Sequence, residues 1–146
     1  MISAFKKLFE VPARESEAER EHRLQLAAAA LLIETARADF SEDEVEEASL
    51  RRLLCETLDV SPEEVDTLLR QAGEQLDEAT SLYDFTRVIN DHYSAAQKLE
   101  LVSSMWRVAY ADGRLDKYEE YLIRQVAELI YVPHSDYIRV KLAAKP

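Results

Sequence analysis

Two short acidic segments carry the residues of this chain whose types and spacing could do chemistry. The second segment follows the first at an offset of 73 positions. Carboxylates gathered near a turn suit hard cations, which take oxygen ligands, so Ca²⁺ or Mg²⁺ is the cofactor to expect if the chain holds one. The matching positions are Asp39 and Asp112, Asp43 and Asp116, Glu46 and Glu119, and Glu47 and Glu120.

The correspondence continues beyond the acidic residues, since Leu50 matches Ile123 and Arg51 matches Arg124. Each copy follows an apolar helical segment and precedes another, a pattern that suggests a duplicated helical hairpin. If the two hairpins pack head to head, the carboxylates of both turns converge. That convergence is a hypothesis, because a sequence contains no distances.

The spacing of the acidic residues is not that of an EF-hand. Counted from Asp39 or Asp112, the sixth position lacks the glycine and the twelfth lacks the bidentate glutamate of that loop. Asp43-x-x-Glu46 and Asp116-x-x-Glu119 also have the form of a helix N-cap followed by a third-position glutamate. Such a cap stabilises its helix by about 1 kcal/mol. Capping alone and capping combined with a cation site are both compatible with this pattern.

The composition of the 146-residue chain favours helices joined by short loops. Two glycines and four prolines are too few for an all-β sandwich or for glycine-rich phosphate-binding loops. The net charge of −11, from 29 acidic and 18 basic residues, opposes binding to nucleic acid and to anionic membranes. The longest apolar run, residues 26–33, is too short to span a bilayer. A single cysteine, Cys55, excludes an internal disulfide and suits a reducing cytoplasm.

Apolar residues at helical spacing predict about seven helices, and no segment has the alternation of a strand. The predicted fold is therefore all-α: a single-domain bundle of about seven helices built from two related helical hairpins. Residues 1–14 are predicted to be an amphipathic N-terminal segment and residues 15–146 the helical domain. Helix starts are predicted at Ser61, which is followed by Pro62 and Glu64, at Ser94, which is followed by Gln97, and at Asp116. A helix end is predicted at Gly113.

The second copy and the segment after it resemble a known family. The residues that carry this resemblance are VAYADGRLDKYEE from Val108, LIR from Leu122 and VPHSDYIR from Val132. They are similar to the bacterial tellurite-resistance TerB-like family, and residues 36–54 resemble its earlier half. The resemblance implies an all-helical bundle related to the N-terminal domain of some membrane-anchored J-domain co-chaperones. It also implies an association with tellurite resistance, stress response and resistance to phage or colicins.

The same resemblance implies a metal site made of carboxylates from both turns, with Asp43 and Glu47 as further candidates. The family's glycine is present as Gly113 in the second turn, but Phe40 replaces it in the first, so the first turn departs from the family pattern. The five implied metal ligands are Asp39, Glu46, Asp112, Asp116 and Glu119.

The expected function is a cytoplasmic, non-enzymatic interaction or sensor module in bacterial stress and tellurite resistance, with a divalent cation at the acidic turns. The alternative is a metal-dependent hydrolase that uses the same carboxylates on a phosphate or similar substrate. Protein partners and a homodimer are expected, but neither nucleic acid nor a membrane span. A histidine-centred active site is not expected, because His22, His92 and His134 lie far apart and none stands beside a nucleophile.

Tyrosines cluster late in the chain beside basic residues. Trp106 lies at helical spacing with apolar neighbours and is predicted to be core, and Cys55 is predicted to be a buried structural thiol. The remaining aromatic residues stand near lysines and arginines, which indicates either a solvated mixed surface or a site for a protein partner. These aromatic residues are Tyr118, Tyr121, Tyr131 and Tyr137.

Overall fold

Seven α-helices and no strand make up the part of the chain that the computed structural model describes. That part comprises residues 16–38, 44–111 and 115–145, with backbone alone at residues 44–47 and 49. The predicted all-α fold is confirmed, while the predicted segment 1–14 lies outside the described residues. The helices are α1 (Glu17–Arg37), α2 (Glu44–Leu58), α3 (Pro62–Glu78), α4 (Tyr83–His92), α5 (Ala95–Ala109), α6 (Lys117–Leu129) and α7 (His134–Ala144).

The predicted helix starts are confirmed by their hydrogen bonds. The Ser94 hydroxyl accepts from the Gln97 backbone N–H, and the Gln97 side chain accepts from the Ser94 backbone N–H, which completes a capping box. At α3, the Ser61 hydroxyl accepts from the Glu64 N–H and proline follows at the first helical position. Of the two hydrogen bonds of the capping box expected at Ser61, the one accepted by the serine hydroxyl is thus present.

The end of α5 differs from the prediction, which placed it at Gly113. The helix stops at Ala109, and the Tyr110 and Ala111 N–H groups bond to the Trp106 and Val108 carbonyls at 2.9 and 3.2 Å. The second of these bonds spans three residues, so the last turn tightens and closes the helix before the glycine is reached. Gly113 itself lies outside the described residues.

Helix α1 is the centre of the bundle and packs against α2, α3, α4, α5 and α6. Every residue from 26 to 33 is buried, so this stretch has no solvent-facing side. Four consecutive alanines, residues 27–30, present little side-chain volume, and neighbouring helices can therefore pack closely around α1. The apolar run that is too short for a membrane span is a core helix, and no described helix is long and apolar enough to cross a bilayer.

Hydrogen bonds between helices show which helix ends lie together. The Gln25 side chain donates to the Leu58 carbonyl at 3.4 Å, and the Arg23 guanidinium contacts His92 Nε2 at 3.1 Å. Asn90 Nδ2 donates to the Leu129 carbonyl at 2.9 Å. The C-terminal ends of α2, α4 and α6 therefore lie beside the N-terminal part of α1. We call this end of the bundle the base.

Helix α5 also begins at the base, after Ser94, two residues from the His92 that contacts Arg23, and it packs against α1. Farther along α5, the Ser104 hydroxyl lies 3.0 Å from the hydroxyl of Thr57, near the C-terminal end of α2. Beyond the ends of α1 and α5 the chain turns into α2 and α6. We call this end of each hairpin, α1–α2 and α5–α6, its turn end.

We expect an enlarged side chain in the middle of α1 to destabilise the fold. Ala28 is fully buried, and an inserted leucine would force its neighbours apart. Ala28→Leu should lower the free energy of unfolding by about 1–3 kcal/mol, measured by urea denaturation. The matched control is Ala18→Leu on the exposed first turn of the same helix, which should change stability by no more than about 0.5 kcal/mol. Equal stability of the two variants would contradict the close packing around α1.

Candidate functional site

The second acidic turn contains a complete capping box at the start of α6. Asp116 Oδ1 accepts from the Tyr118 backbone N–H at 2.8 Å, and Glu119 Oε1 accepts from the Asp116 backbone N–H at 3.3 Å. The two side chains therefore bind backbone donors that the helix leaves unsatisfied, and their negative charge suits the positive end of the helix dipole. The capping role predicted from the Asp116-x-x-Glu119 spacing is confirmed.

Glu119 differs from an ordinary cap residue in its burial. Its exposed fraction is 0%, although glutamate is almost never fully buried unless it is paired. Glu119 lies four residues before Ile123 and seven before Val126, and both of these are buried. It therefore continues the inward-facing stripe of α6 to the start of the helix. This register is the sequence signal for its burial, since residues three, four and seven apart share one helix face.

The first acidic turn and part of the second lie outside the described residues. Asp39, Asp43 and Asp112 belong to those segments, while Glu46 and Glu47 stand in the first turn of α2 with their backbone alone described. Of the five predicted metal ligands, only Asp116 and Glu119 have described side chains. Among the side chains that are described, no group of three or more His, Cys, Asp or Glu could hold a metal ion. The five-ligand site therefore stays a prediction.

The two turns are related through the helices on either side of them. Ala38 follows α1 and Ala111 ends the described segment after α5, each at the turn end of its hairpin. The chain then enters α2 and α6. The two hairpins α1–α2 and α5–α6 contact each other through α1 with α5, α2 with α5 and α1 with α6. Both acidic segments therefore connect helices of one packed group.

A buried aromatic cluster lies beside the second turn. Trp106 is fully buried, as predicted, and its ring lies 5.5 Å from that of Tyr137 and 5.9 Å from that of Tyr110. Lys141 Nζ stands 5.3 Å from the Trp106 ring and bonds to Glu120 Oε1 at 2.8 Å. The cluster therefore links α7 to α5 and to the first turn of α6. The Lys141–Glu120 contact joins two helices and has no local pattern in the sequence that would predict it.

The late tyrosines do not form one surface. Tyr118, Tyr121 and Tyr131 are exposed, but Tyr137 is buried on α7, where it faces Trp106. Arg124 and Arg139 pair with acidic residues on their own helices, which fits the expectation of a mixed solvated surface. A partner site at the three exposed tyrosines stays a prediction.

The histidines and the cysteine occupy structural positions. His134 is the first residue of α7 and stacks on Tyr137 at 5.7 Å, while His92 contacts the buried Arg23. His22 is exposed on α1. Cys55 is half-buried against the core, less completely than predicted.

Comparison with known proteins gives one match. The family model described as "Tellurite resistance protein TerB" matches residues 25–142, which include both acidic segments and all seven helices in whole or in part. No curated protein and no solved structure matches the chain.

Loss of the cap at Asp116 should destabilise α6. Asp116→Ala removes the acceptor of the Tyr118 N–H and should cost about 1 kcal/mol, which lowers the melting temperature by about 2–4 °C for a domain of this size. Asp116→Asn keeps an acceptor oxygen at the same place and is the matched control. Thermal melts in the presence of a chelator exclude any effect of a bound cation, so the change in melting temperature reports the loss of the cap alone. If the two variants melt together below the wild type, the hydrogen bond is not the source of the effect.

Stability at high pH should depend on Tyr137. Burial, with the nearby Glu120 carboxylate, raises the pKa of Tyr137 from 10.0 to about 12. Because the phenol ionises at the lower value in the unfolded chain, its contribution is complete below pH 10 and is lost as the pH rises towards 12. Between about pH 10 and pH 12, the unfolding free energy of the wild type should fall more steeply than that of Tyr137→Phe. Tyr121→Phe, at an exposed tyrosine, should follow the wild type, and parallel curves for all three would contradict the assignment.

Proposed function

The chain belongs to the TerB family of tellurite resistance proteins, and from this membership we propose that it is a non-enzymatic interaction or sensor module that holds a divalent cation at its two acidic turns. The family match covers both turns. The proposed cation is Ca²⁺ or Mg²⁺, and the proposed protein partners respond to its binding. The proposed setting is the cytoplasm of a bacterium exposed to tellurite or a related stress.

The observation that carries the proposal is the packing of the two hairpins that hold the turns. Helix α1 packs against α5 and α6, and α2 packs against α5, so the α1–α2 and α5–α6 hairpins form one packed group. Each acidic segment connects the two helices of one hairpin. This arrangement supports the convergence that the internal repeat suggests.

Chemistry at the second turn also favours a cation. Asp116 uses one carboxylate oxygen, Oδ1, in the cap, and the proposed site would use its other oxygen as a ligand. Asp116 and Glu119 are held in place by the capping box, which lowers the entropy cost of binding.

A sensor mechanism follows from the net charge and from the packing of the hairpins. Acidic residues of two neighbouring turns repel each other in a chain of net charge −11. A cation bound between the turns would remove this repulsion and link α1–α2 to α5–α6. The surface at the turn ends would then differ between the bound and the free protein, and a partner could distinguish the two.

Cation binding should raise the melting temperature, because a ligand selective for the folded state stabilises it. At a hundredfold excess over its dissociation constant, Ca²⁺ or Mg²⁺ should add about 2.7 kcal/mol, or roughly 5–10 °C. The measurement compares melts in chelator with melts in each metal. Asp112→Asn with Glu119→Gln should abolish the shift while the circular dichroism spectrum stays helical.

The matched control is Glu63→Gln with Glu78→Gln, two exposed acids outside the turns, which should keep the full shift. No shift in the wild type at millimolar metal would contradict the cation site and leave the capping box as the role of these residues. Turnover of phosphodiesters by the metal-loaded protein, lost in the Asp112→Asn, Glu119→Gln variant, would contradict the non-enzymatic role and favour a hydrolase.

A further inference from the structure

Helix α7 is attached to the rest of the protein by a small set of side chains. In the part of the chain that is described, α5 is the helix against which α7 packs closely. The buried residues of α7 are Tyr137 and Val140. With Lys141 they form one stripe at spacings of three and four residues, which faces Trp106 and reaches Glu120. The surface of α5 and α6 that receives this stripe is called here the α7 socket.

The charge of α7 is opposite in sign to that of the whole chain. Residues 134–145 contain one acid, Asp136, and three bases, Arg139, Lys141 and Lys145, in a chain of net charge −11. Attraction between α7 and the acidic remainder does not depend on whether both belong to one copy. A second copy therefore offers α7 the same apolar contacts, the same ion pair and the same favourable charge.

The connection between α6 and α7 contains a strained residue. Residues 130–133 join the two helices, and within them Tyr131 has φ of 62°, a left-handed conformation that is costly for a bulky side chain. Its side chain is 78% exposed, and its ring has Lys98 Nζ of α5 at 5.9 Å from the centroid. The connection is closed by hydrogen bonds from the Tyr131 and Val132 N–H groups to the carbonyls of Glu128 and Ala127.

Opening of this connection would relieve the strain. Pro133 has no N–H and disfavours a helical conformation at Val132, so the opened segment is extended. The carbonyls released from the closing bonds lie at the end of α6 and can bond to water. Short strained connections of this kind favour exchange of the element that follows them.

We propose that two copies of this chain form a dimer by exchanging α7. In this dimer the α7 of each copy fills the α7 socket of the other, Ile130 stays in the core of its own copy, and residues 131–133 cross between the copies. Tyr137 packs against Trp106 of the other copy, and Lys141 pairs with Glu120 of the other copy. The closed monomer and the dimer then share all contacts of α7 and differ at the connection.

A charge-reversal pair tests the exchange directly. Lys141→Glu and Glu120→Lys each place two like charges at the ion pair within one chain, so each variant alone should lose stability. When the two variants are mixed, unfolded and refolded together, exchange of α7 restores opposite charges at both sockets. A one-to-one heterodimer, detected by size-exclusion chromatography with light scattering, is the expected result. A mixture that remains monomeric, or dimers that form equally well from either variant alone, would overturn the proposal.

A second experiment tests the role of Tyr131 in variants that keep the native socket. Tyr131→Gly removes the strain from the closed connection of the monomer, so opening of the two connections in a dimer relieves less strain. The variant should weaken dimerisation of refolded protein by about tenfold. The control is Asp59→Gly, which relieves a left-handed residue with φ of 54° in the connection between α2 and α3. It should leave the dimer constant unchanged. Wild-type protein that stays monomeric after refolding at millimolar concentration, or an equal effect of the two glycine variants, would contradict the exchange of α7.

Discussion

Burial of α1 on all sides is the constraint on which the rest of the structure depends. A helix that is apolar around its whole circumference has to be enclosed, and in this chain α2 to α6 enclose it. Because alanines occupy four consecutive positions of α1, the surrounding helices pack close to its axis. Each of them needs only one apolar stripe, and their other faces carry the charges that give the chain its acidity.

The same enclosure brings together the two hairpins that hold the acidic segments. Helix α5 packs against α1 and α2, and α6 packs against α1, so the α1–α2 and α5–α6 hairpins share one core. The pairing of the hairpins is therefore a consequence of core packing, and carboxylate chemistry is added to an arrangement that apolar residues determine.

Local patterns predicted most of this fold, and long-range contacts account for what they missed. Ser61, Ser94 and Asp116 were identified as caps because a cap and its target stand three residues apart or fewer. The burial of Glu119 was not predicted, although its register with the buried Ile123 indicates it. The side chain of Tyr137 is buried because it packs against Trp106, which is distant in sequence. The left-handed conformation of Tyr131 is set by the path between two packed helices, and its residue type gives no sign of it.

The two ends of α6 show how one helix can serve two purposes. Its first turn is rigid, because Asp116 and Glu119 bind the backbone and Glu120 binds Lys141 of α7. Its last turn leads into a strained connection that closes onto α7. Ligand chemistry benefits from the rigid end, since preorganised carboxylates lose little entropy on binding. Rearrangement is favoured at the strained end, since opening of the connection releases the left-handed conformation of Tyr131. Helix α7 contacts the rigid end through Lys141 and is tethered at the strained end, so a change at the acidic turn has a direct physical route to the attachment of α7.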